Sequence, residues 1–499
     1  MSICVLTVVV GTPALLYFGC NAAAFGLLLS VAVVVCLWLL ATRPESVALL
    51  TVFVVILAYE RTAIVNVGIG GPGNRGAVSL ADVLWVLLMV RMFMISGAGT
   101  WLALLRRLHG SILLLAPYTI ASVVLPVLGI LTMRWPAHFA LPGLRQVQWL
   151  SFGLIMMKLA RRLGMAKAVG SFSFVVGLAA LLHLIYSCIQ YAASTGAISG
   201  QYLILDGYFI QTNQMNWFFY PRVTGFLVNP NSYGLFGAVV LTMLMARIVS
   251  GVKTSFLQYC LWSVSAGYAV VLSSSRTALL AAVGGSVFVL AAGGLLPRLR
   301  KRASIALAGL LCMALLGVVA VSQFAPNAVG ERAEAIVKVL SRGAEQDSDM
   351  LDRKVMWRDA LIVSQFEYPF GTWVSPGYAN GRGIDSYYIM ALVQGTILYT
   401  ASFGAFLAGC SWLGLACTVR SSKDCHRTFA GLSMVGLTAI LAIASVSLSP
   451  ILEPHFVCAF WCVIGLCCAA VLPQHATLAA RLRLAGPRVD YLIAEPAGS

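Results

Sequence analysis

The sequence predicts an all-α polytopic membrane protein of about 12 to 14 transmembrane helices, with one large soluble loop subdomain. Three observations carry this. Of the 499 residues, 60% are hydrophobic and only 10% charged. Apolar runs of roughly 17 residues or more, each able to cross a bilayer, recur from end to end. The basic residues behind the net charge of +16 fall in short clusters between those runs: Arg106 with Arg107, Arg161 with Arg162, Arg298 to Arg302, Arg420 to Arg427, and Arg481 with Arg483. Such spacing follows the positive-inside bias of cytoplasmic loops rather than the continuous basic face that nucleic acid would need.

Candidate spans cover 2–19, 23–41, 44–60, 79–97, 111–132, 143–158, 170–190, 227–249, 255–272, 277–294, 303–322, 386–417, 428–449 and 456–472. The first two are parted only by Gly19, Cys20 and Asn21, so they read as an uncleaved hairpin rather than a signal peptide. With the N-terminus cytoplasmic, every basic cluster lies inside. Merging the weaker spans 44–60 or 143–158 with their neighbours lowers the count toward twelve.

The chain then divides into N-terminal transmembrane helices (1–192), an outer loop (193–226), helices with arginine-bearing starts (227–322), a large outer loop subdomain (323–385), C-terminal helices (386–472) and a cytoplasmic tail (473–499). Segment 323–385 holds nine of the 17 acidic residues and seven basic ones, a mixed-charge composition that suits a small soluble unit. "NAVGERAEAIVKVLSR" is expected to be one of its helices, and loops of this length usually carry function.

The 13 cysteines lie mostly within apolar runs, as Cys458, Cys462, Cys467 and Cys468 do, which indicates neither a disulfide framework nor a zinc site. The six histidines form no HxxH or HExxH pattern, so spacing gives no support for a metal cofactor.

Three helix starts fall on the outer side. In "LVNPNSYG", Asn229 suits the N-cap and Pro230 the first helical position, where its missing N–H costs nothing. The free N–H groups of such a start favour an anion, and Arg222 lies seven residues upstream. In "LSSSRTALLAAVGG", Ser274 or Ser275 caps the next start and Arg276 occupies its first turn, against both the helix dipole and the inside bias for positive charge. In "GRGIDSYYIMALVQG", Asp385 or Ser386 caps a third, with Tyr387 and Tyr388 at interface depth. Together these outline an outer pocket for an anion, with one carboxylate. Each part also has a plainer reading: Arg222 as a snorkelling lipid contact, Asp385 as a simple cap, and Tyr387 and Tyr388 as interfacial anchors.

"RVTGFLVNPNSYG", "SSSRTALLA" and "RKVMWRDALIVSQFEYPFGTW…GIDSYYIMALVQGTILY" resemble, in that order over about 220–400, motifs of the bacterial O-antigen ligase and polysaccharide polymerase superfamily of integral membrane glycosyltransferases. The resemblance implies a GT-C-like, all-helical transferase of the bacterial inner membrane that works at the periplasmic face. Its donor would be a glycan on undecaprenyl diphosphate, with no nucleotide sugar, metal or other cofactor, and chain-length control and export would belong to partner proteins. By position, Arg222 and Arg276 would hold the donor diphosphate, with Asn229 and Asn231 at the same helix start, while Arg353 and Trp357 would serve the acceptor side, and Tyr387 and Tyr388 would contact substrate. Ligases of the family usually carry His-Asn where this chain has Asp385 and Ser386, so the polymerase branch is the nearer one.

On this reading the main catalytic effect is electrostatic stabilisation of the leaving diphosphate. Asp385 is the candidate base or acceptor-orienting group, followed by Asp352, Glu453 and His455. A ligase, a transporter or flippase for lipid-linked sugar, and a non-catalytic scaffold are the competing classes. A transporter would place its charges nearer the bilayer midplane.

Overall fold

A computed structural model describes residues 44–59, 63–66, 77–91, 113–133, 141–198, 222–227, 229–324, 348–367, 371, 386–420 and 424–471. The expected spans 2–19 and 23–41, the "NAVGERAEAIVKVLSR" helix, Asp385 and the tail 473–499 lie outside them. The described chain is helical, with one short antiparallel pair, β1 (Ala63–Asn66) and β2 (Ala77–Ser79), that the all-α expectation did not include.

The helices are α1 (Pro44–Ala58), α2 (80–91), α3 (Ala116–Met133), α4 (Leu141–Leu163), α5 (Met165–Ser194), α6 (Pro230–Ser250), α7 (Phe256–Leu272), α8 (Arg276–Gly294), α9 (Pro297–Phe324), α10 (Ser348–Glu367), α11 (Tyr387–Arg420), α12 (Cys425–Ala444) and α13 (Pro454–Val471). Apart from α10, which falls within the expected outer loop 323–385, they track the expected spans to within about six residues. Six of them, α5, α6, α8, α11, α12 and α13, are long and apolar enough to cross a membrane, and α1, α3 and α7 are shorter apolar helices. The protein is a multi-pass membrane protein.

At the centre, α6 packs against α7, α8 and α12, α12 against α8, α11 and α13, and α13 against α4. α6, α12 and α13 are enclosed along most of their length, whereas α5, α8 and α11 bury about half. The outward faces stay apolar: Leu280, Val283, Val287 and Phe288 on α8 and Ile305, Leu311, Leu315 and Val319 on α9 are exposed. In water that pattern would be costly, and in a bilayer it matches the solvent. With no hydrophobic drive between helices in lipid, contact depends on close backbone approach by small residues. At Gly465 a Cβ would strike the carbonyl of Gly153, so α13 and α4 meet backbone to backbone.

Local sequence sets the ends of α6. Asn229 Oδ1 accepts from Asn231 N at 2.8 Å, Pro230 takes the first position, and Gly251 closes the helix in a left-handed conformation (φ 74°). Arginines and lysines collect at the opposite end of the bundle. There Arg302 Nη1 donates to Ser250 O, Arg162 pairs with Glu45 at 2.6 Å, and Asp424 caps α12 and pairs with Arg427.

One expected span is not a single helix. α11 leaves helical geometry at Gly395 and Thr396. The hydroxyls of Tyr387 and Tyr399 are 3.3 Å apart, although twelve residues of straight helix would separate their backbones by roughly 18 Å. The span read as 386–417 is therefore a short segment, a sharp bend and a longer helix.

Candidate functional site

The site is built where the starts of α6, α8 and α13 and the first turn of α11 meet the end of α12. Residues 222–227 carry Arg222 to the α6 start, and α5 holds them in place. Gln190, fully buried, accepts through Oε1 from Thr224 N (3.0 Å) and Gly225 N (2.9 Å) and donates through Nε2 to Thr224 Oγ1 (3.0 Å) and Gly225 O (3.1 Å). His183 Nδ1 accepts from Phe226 N at 3.1 Å, which leaves the ring's proton on Nε2, facing Ile56 O at 3.5 Å. Ser187 and Tyr233 share a hydrogen bond of 2.9 Å. Gly225 takes φ 56°, and a Cβ there would meet His183 Nδ1 at 2.7 Å.

His183, Ser187 and Gln190 form a polar stripe at i, i+4 and i+7 within an apolar helix. Sequence reasoning passed over them, although a stripe of this spacing inside a membrane span is itself a signal, because buried polar groups there need partners.

Arg222 is then aimed by two hydrogen bonds. Nε donates to Ser273 O and Nη2 to Asn231 Oδ1, both at 2.9 Å. The backbone follows, with Val223 N donating to Leu272 O at 3.2 Å. Thus the guanidinium lies across the gap between the α6 start and the α7–α8 turn. Asn229, Asn231 and Arg222 are brought together as expected.

That turn presents Arg276. Ser274 sits at φ 53°, and Ser275, of the two serines considered, is the cap, its Oγ accepting from Ala278 N at 3.3 Å. Arg276 is the first residue of α8 and half-buried. At Gly234 a Cβ would collide with Ser273 Oγ, so only glycine lets the α6 start close on the turn before Arg276. Two arginines and two helix starts therefore share one corner.

The α11 start joins the same end. Ser386 Oγ and Tyr387 N both donate to Ser445 O (3.3 and 2.9 Å), and Thr277 and Ser447 share a short hydrogen bond. Tyr387 does not face an open surface: its ring is buried and its hydroxyl meets those of Tyr118 and Tyr399. Tyr388 Oη donates to Ala442 O at 2.9 Å. These bonds tie α11 to α3 and α12, with Tyr387 enclosed and Tyr388 half-buried.

Arg353 and Trp357 stand one helical turn apart on α10, which packs against α11, and both are half-buried. Asp352 lies on the same helix.

A described carboxylate does reach the corner. Glu453 Oε2 accepts from Ser232 Oγ at 2.8 Å, and Ser232 follows Asn231 in α6. Beside it a small cleft, with room for about one water, is lined in part by Tyr59, Phe226, Ser232 and His455. Tyr59 Oη donates to Asp82 Oδ1 at 2.7 Å. Burial above all holds that phenol protonated well beyond its usual range, and Asp82 adds to this while Arg145, 5.3 Å over the ring, opposes it.

One trio offers metal-ligand atoms among the described residues: Asp424, Cys425 and His426, at the basic end. Asp424 there accepts from His426 N and Arg427 N and pairs with the Arg427 guanidinium, so its carboxylate already serves the α12 start. No protein-family model and no curated protein matches the chain.

Proposed function

We propose that the protein is a polysaccharide polymerase, a metal-independent glycosyltransferase that joins undecaprenyl-diphosphate-linked oligosaccharide repeats at the periplasmic face of the bacterial inner membrane. The observation that carries this reading is the corner where Arg222, held by Asn231 and Ser273, and Arg276 meet the starts of α6 and α8. A lipid diphosphate brings negative charge to the membrane surface, and this corner supplies what such a group needs. Arginine keeps its charge near lipid and grips phosphate oxygens with a planar fork, while helix starts add unpaired N–H groups.

The leaving diphosphate gains charge as the glycosidic bond breaks. Donors fixed in advance lower that barrier, and losing one such donor typically costs about 100 to 1000-fold in rate. A clamp at one end of the bundle, opposite the basic end, also favours surface chemistry over transport, for which a site near the midplane is usual. Arg353 and Trp357 on α10 then belong to the acceptor side, and the growing chain leaves its lipid for the next lipid-linked repeat.

The test is the glycan phenotype of cells in which Arg276→Ala replaces the chromosomal copy at normal membrane abundance. Loss of polymer with single repeats accumulating on the outward-facing lipid supports the polymerase. Repeats that stay on the cytoplasmic face identify a flippase, and polymer that forms but never reaches lipid A-core identifies a ligase.

A further inference from the structure

The basic end of the bundle carries more charge than its own contacts use. No acidic residue occurs between Asp206 and Glu331, a stretch that contains all of α6 to α9. Five exposed cations of this stretch gather where α6 and α8 end and α7 and α9 begin: Lys253, Arg298, Arg300, Lys301 and Arg302.

Two of them have structural partners. Arg302 Nη1 donates to Ser250 O at 3.0 Å and Arg300 Nε to Gly294 O at 3.3 Å, so they close the ends of α6 and α8. At Gly251 a Cβ would strike the Arg302 guanidinium, so only glycine lets Arg302 lie on the turn between α6 and α7. That turn is itself fixed by Arg247, whose Nε donates to Thr254 Oγ1 and Nη2 to Lys253 O, and by the capping box of Ser255 and Gln258. The start of α9 and the α6–α7 turn therefore share one surface.

Lys253, Arg298 and Lys301 have no such task. Their side chains make no hydrogen bond or ion pair with any described residue. Arg298 and Lys301 sit in the first turns of α9, where positive charge opposes the helix dipole and does nothing for the helix. The two described carboxylates at this end, Glu45 and Asp424, are paired with Arg162 and Arg427.

Large apolar side chains stand in the same segments. Phe256 is 83% exposed, Leu257 77% and Leu295 78%. On α9 the exposed Ile305 follows Arg298 at i+7 and Lys301 at i+4, on one helix face. Water is a poor medium for the apolar groups, and hydrocarbon is a poor one for unpaired cations. The headgroup layer of a leaflet that contains anionic lipid suits both.

We propose that this surface binds an anionic phospholipid of the leaflet facing the basic end. Lys253, Arg298 and Lys301 hold its phosphate, and its acyl chains lie on Phe256, Leu257 and Ile305. An excess of positive charge orients a membrane protein without any fixed lipid contact, whereas here Arg247 and Arg302 lock the two segments that present the free cations. The surface lies at the end opposite the arginine corner and holds its lipid whatever reaction that corner performs.

The test uses the full-length protein purified in non-ionic detergent and incubated with phosphatidylglycerol or phosphatidylcholine of identical acyl chains. Native mass spectrometry counts the phospholipid retained. The wild type is expected to retain phosphatidylglycerol at least about tenfold in preference to phosphatidylcholine. Combining Lys253→Gln, Arg298→Gln and Lys301→Gln should abolish the preference and leave the melting temperature in lipid-free detergent unchanged, because none of the three holds the fold. Lys253→Arg with Lys301→Arg keeps the charge and should keep the preference.

Equal retention of the two lipids by the wild type overturns the proposal, as does a preference that survives in the triple variant. A lowered melting temperature of the triple variant in lipid-free detergent would make the cations packing groups and overturn it too. If Arg276→Ala abolishes the preference and the triple variant does not, the lipid sits at the outer corner instead. Displacement of phosphatidylglycerol by millimolar inorganic phosphate would show that the ligand is a free anion rather than a lipid.

Discussion

Arg222 Nη2 donates to Asn231 Oδ1 at 2.9 Å, tying the loop before α6 to the first turn of that helix. The bond fixes one edge of a guanidinium whose Nε is already held by Ser273 O. Arg222→Lys keeps the charge but cannot make both bonds at once. Polymer yield in membranes is expected to fall about 100-fold or more for Arg222→Lys and Arg222→Ala alike. A lysine variant near wild-type activity would show that charge alone suffices and that the fork has no role.

Gln190 satisfies two backbone N–H groups and one carbonyl in the loop that carries Arg222. Gln190→Leu leaves them buried without partners, at about 1–3 kcal/mol for each group. The melting temperature in detergent is expected to drop clearly, and Gln190→Glu, which keeps the acceptor alone, should fall between wild type and leucine. Unchanged melting of the leucine variant would mean that water replaces the amide.

Gly225 combines a left-handed backbone with contact against His183 and Tyr233. An L-residue in this region costs about 1–2 kcal/mol before any clash is counted. Gly225→Ala is expected to lower both thermal stability and polymer yield, because the strain falls on the segment that aims Arg222.

Tyr387 was expected from sequence to touch substrate, whereas its hydroxyl is enclosed with Tyr118 and Tyr399. Tyr387→Phe should therefore lower the melting temperature by an amount matching about 1–2 kcal/mol and leave turnover per folded molecule within a few-fold of wild type. A large loss of turnover with unchanged melting would restore the substrate-contact role.

Much of the architecture was legible because its signals are local. Apolar runs gave α5, α6, α7, α8, α12 and α13 within a few residues, and the Asn229–Pro230 and Ser275–Arg276 starts were readable from capping chemistry. What stayed hidden depends on distant partners. Ser232 and Glu453 are 221 positions apart, and Gln190 is identified as a clamp only through residues 224 and 225. The bend in α11 escaped because Gly395 and Thr396 sit in an otherwise apolar run, where hydrophobicity alone predicts one continuous helix. The enclosure of the Tyr387 hydroxyl was hidden for a related reason, since its partners Tyr118 and Tyr399 lie on α3 and beyond the bend in α11.

The central claim is that Arg222 and Arg276 hold a lipid diphosphate while its glycan is transferred. It is tested most directly by reconstituting the purified protein in vesicles with lipid-linked repeats and measuring polymer and freed undecaprenyl diphosphate together. The account predicts about one lipid diphosphate released per linkage formed, with both products reduced about 100-fold or more by Arg276→Ala. Polymer formation by the alanine variant at the wild-type rate, or glycan movement across the vesicle membrane with no lipid diphosphate freed, would contradict it.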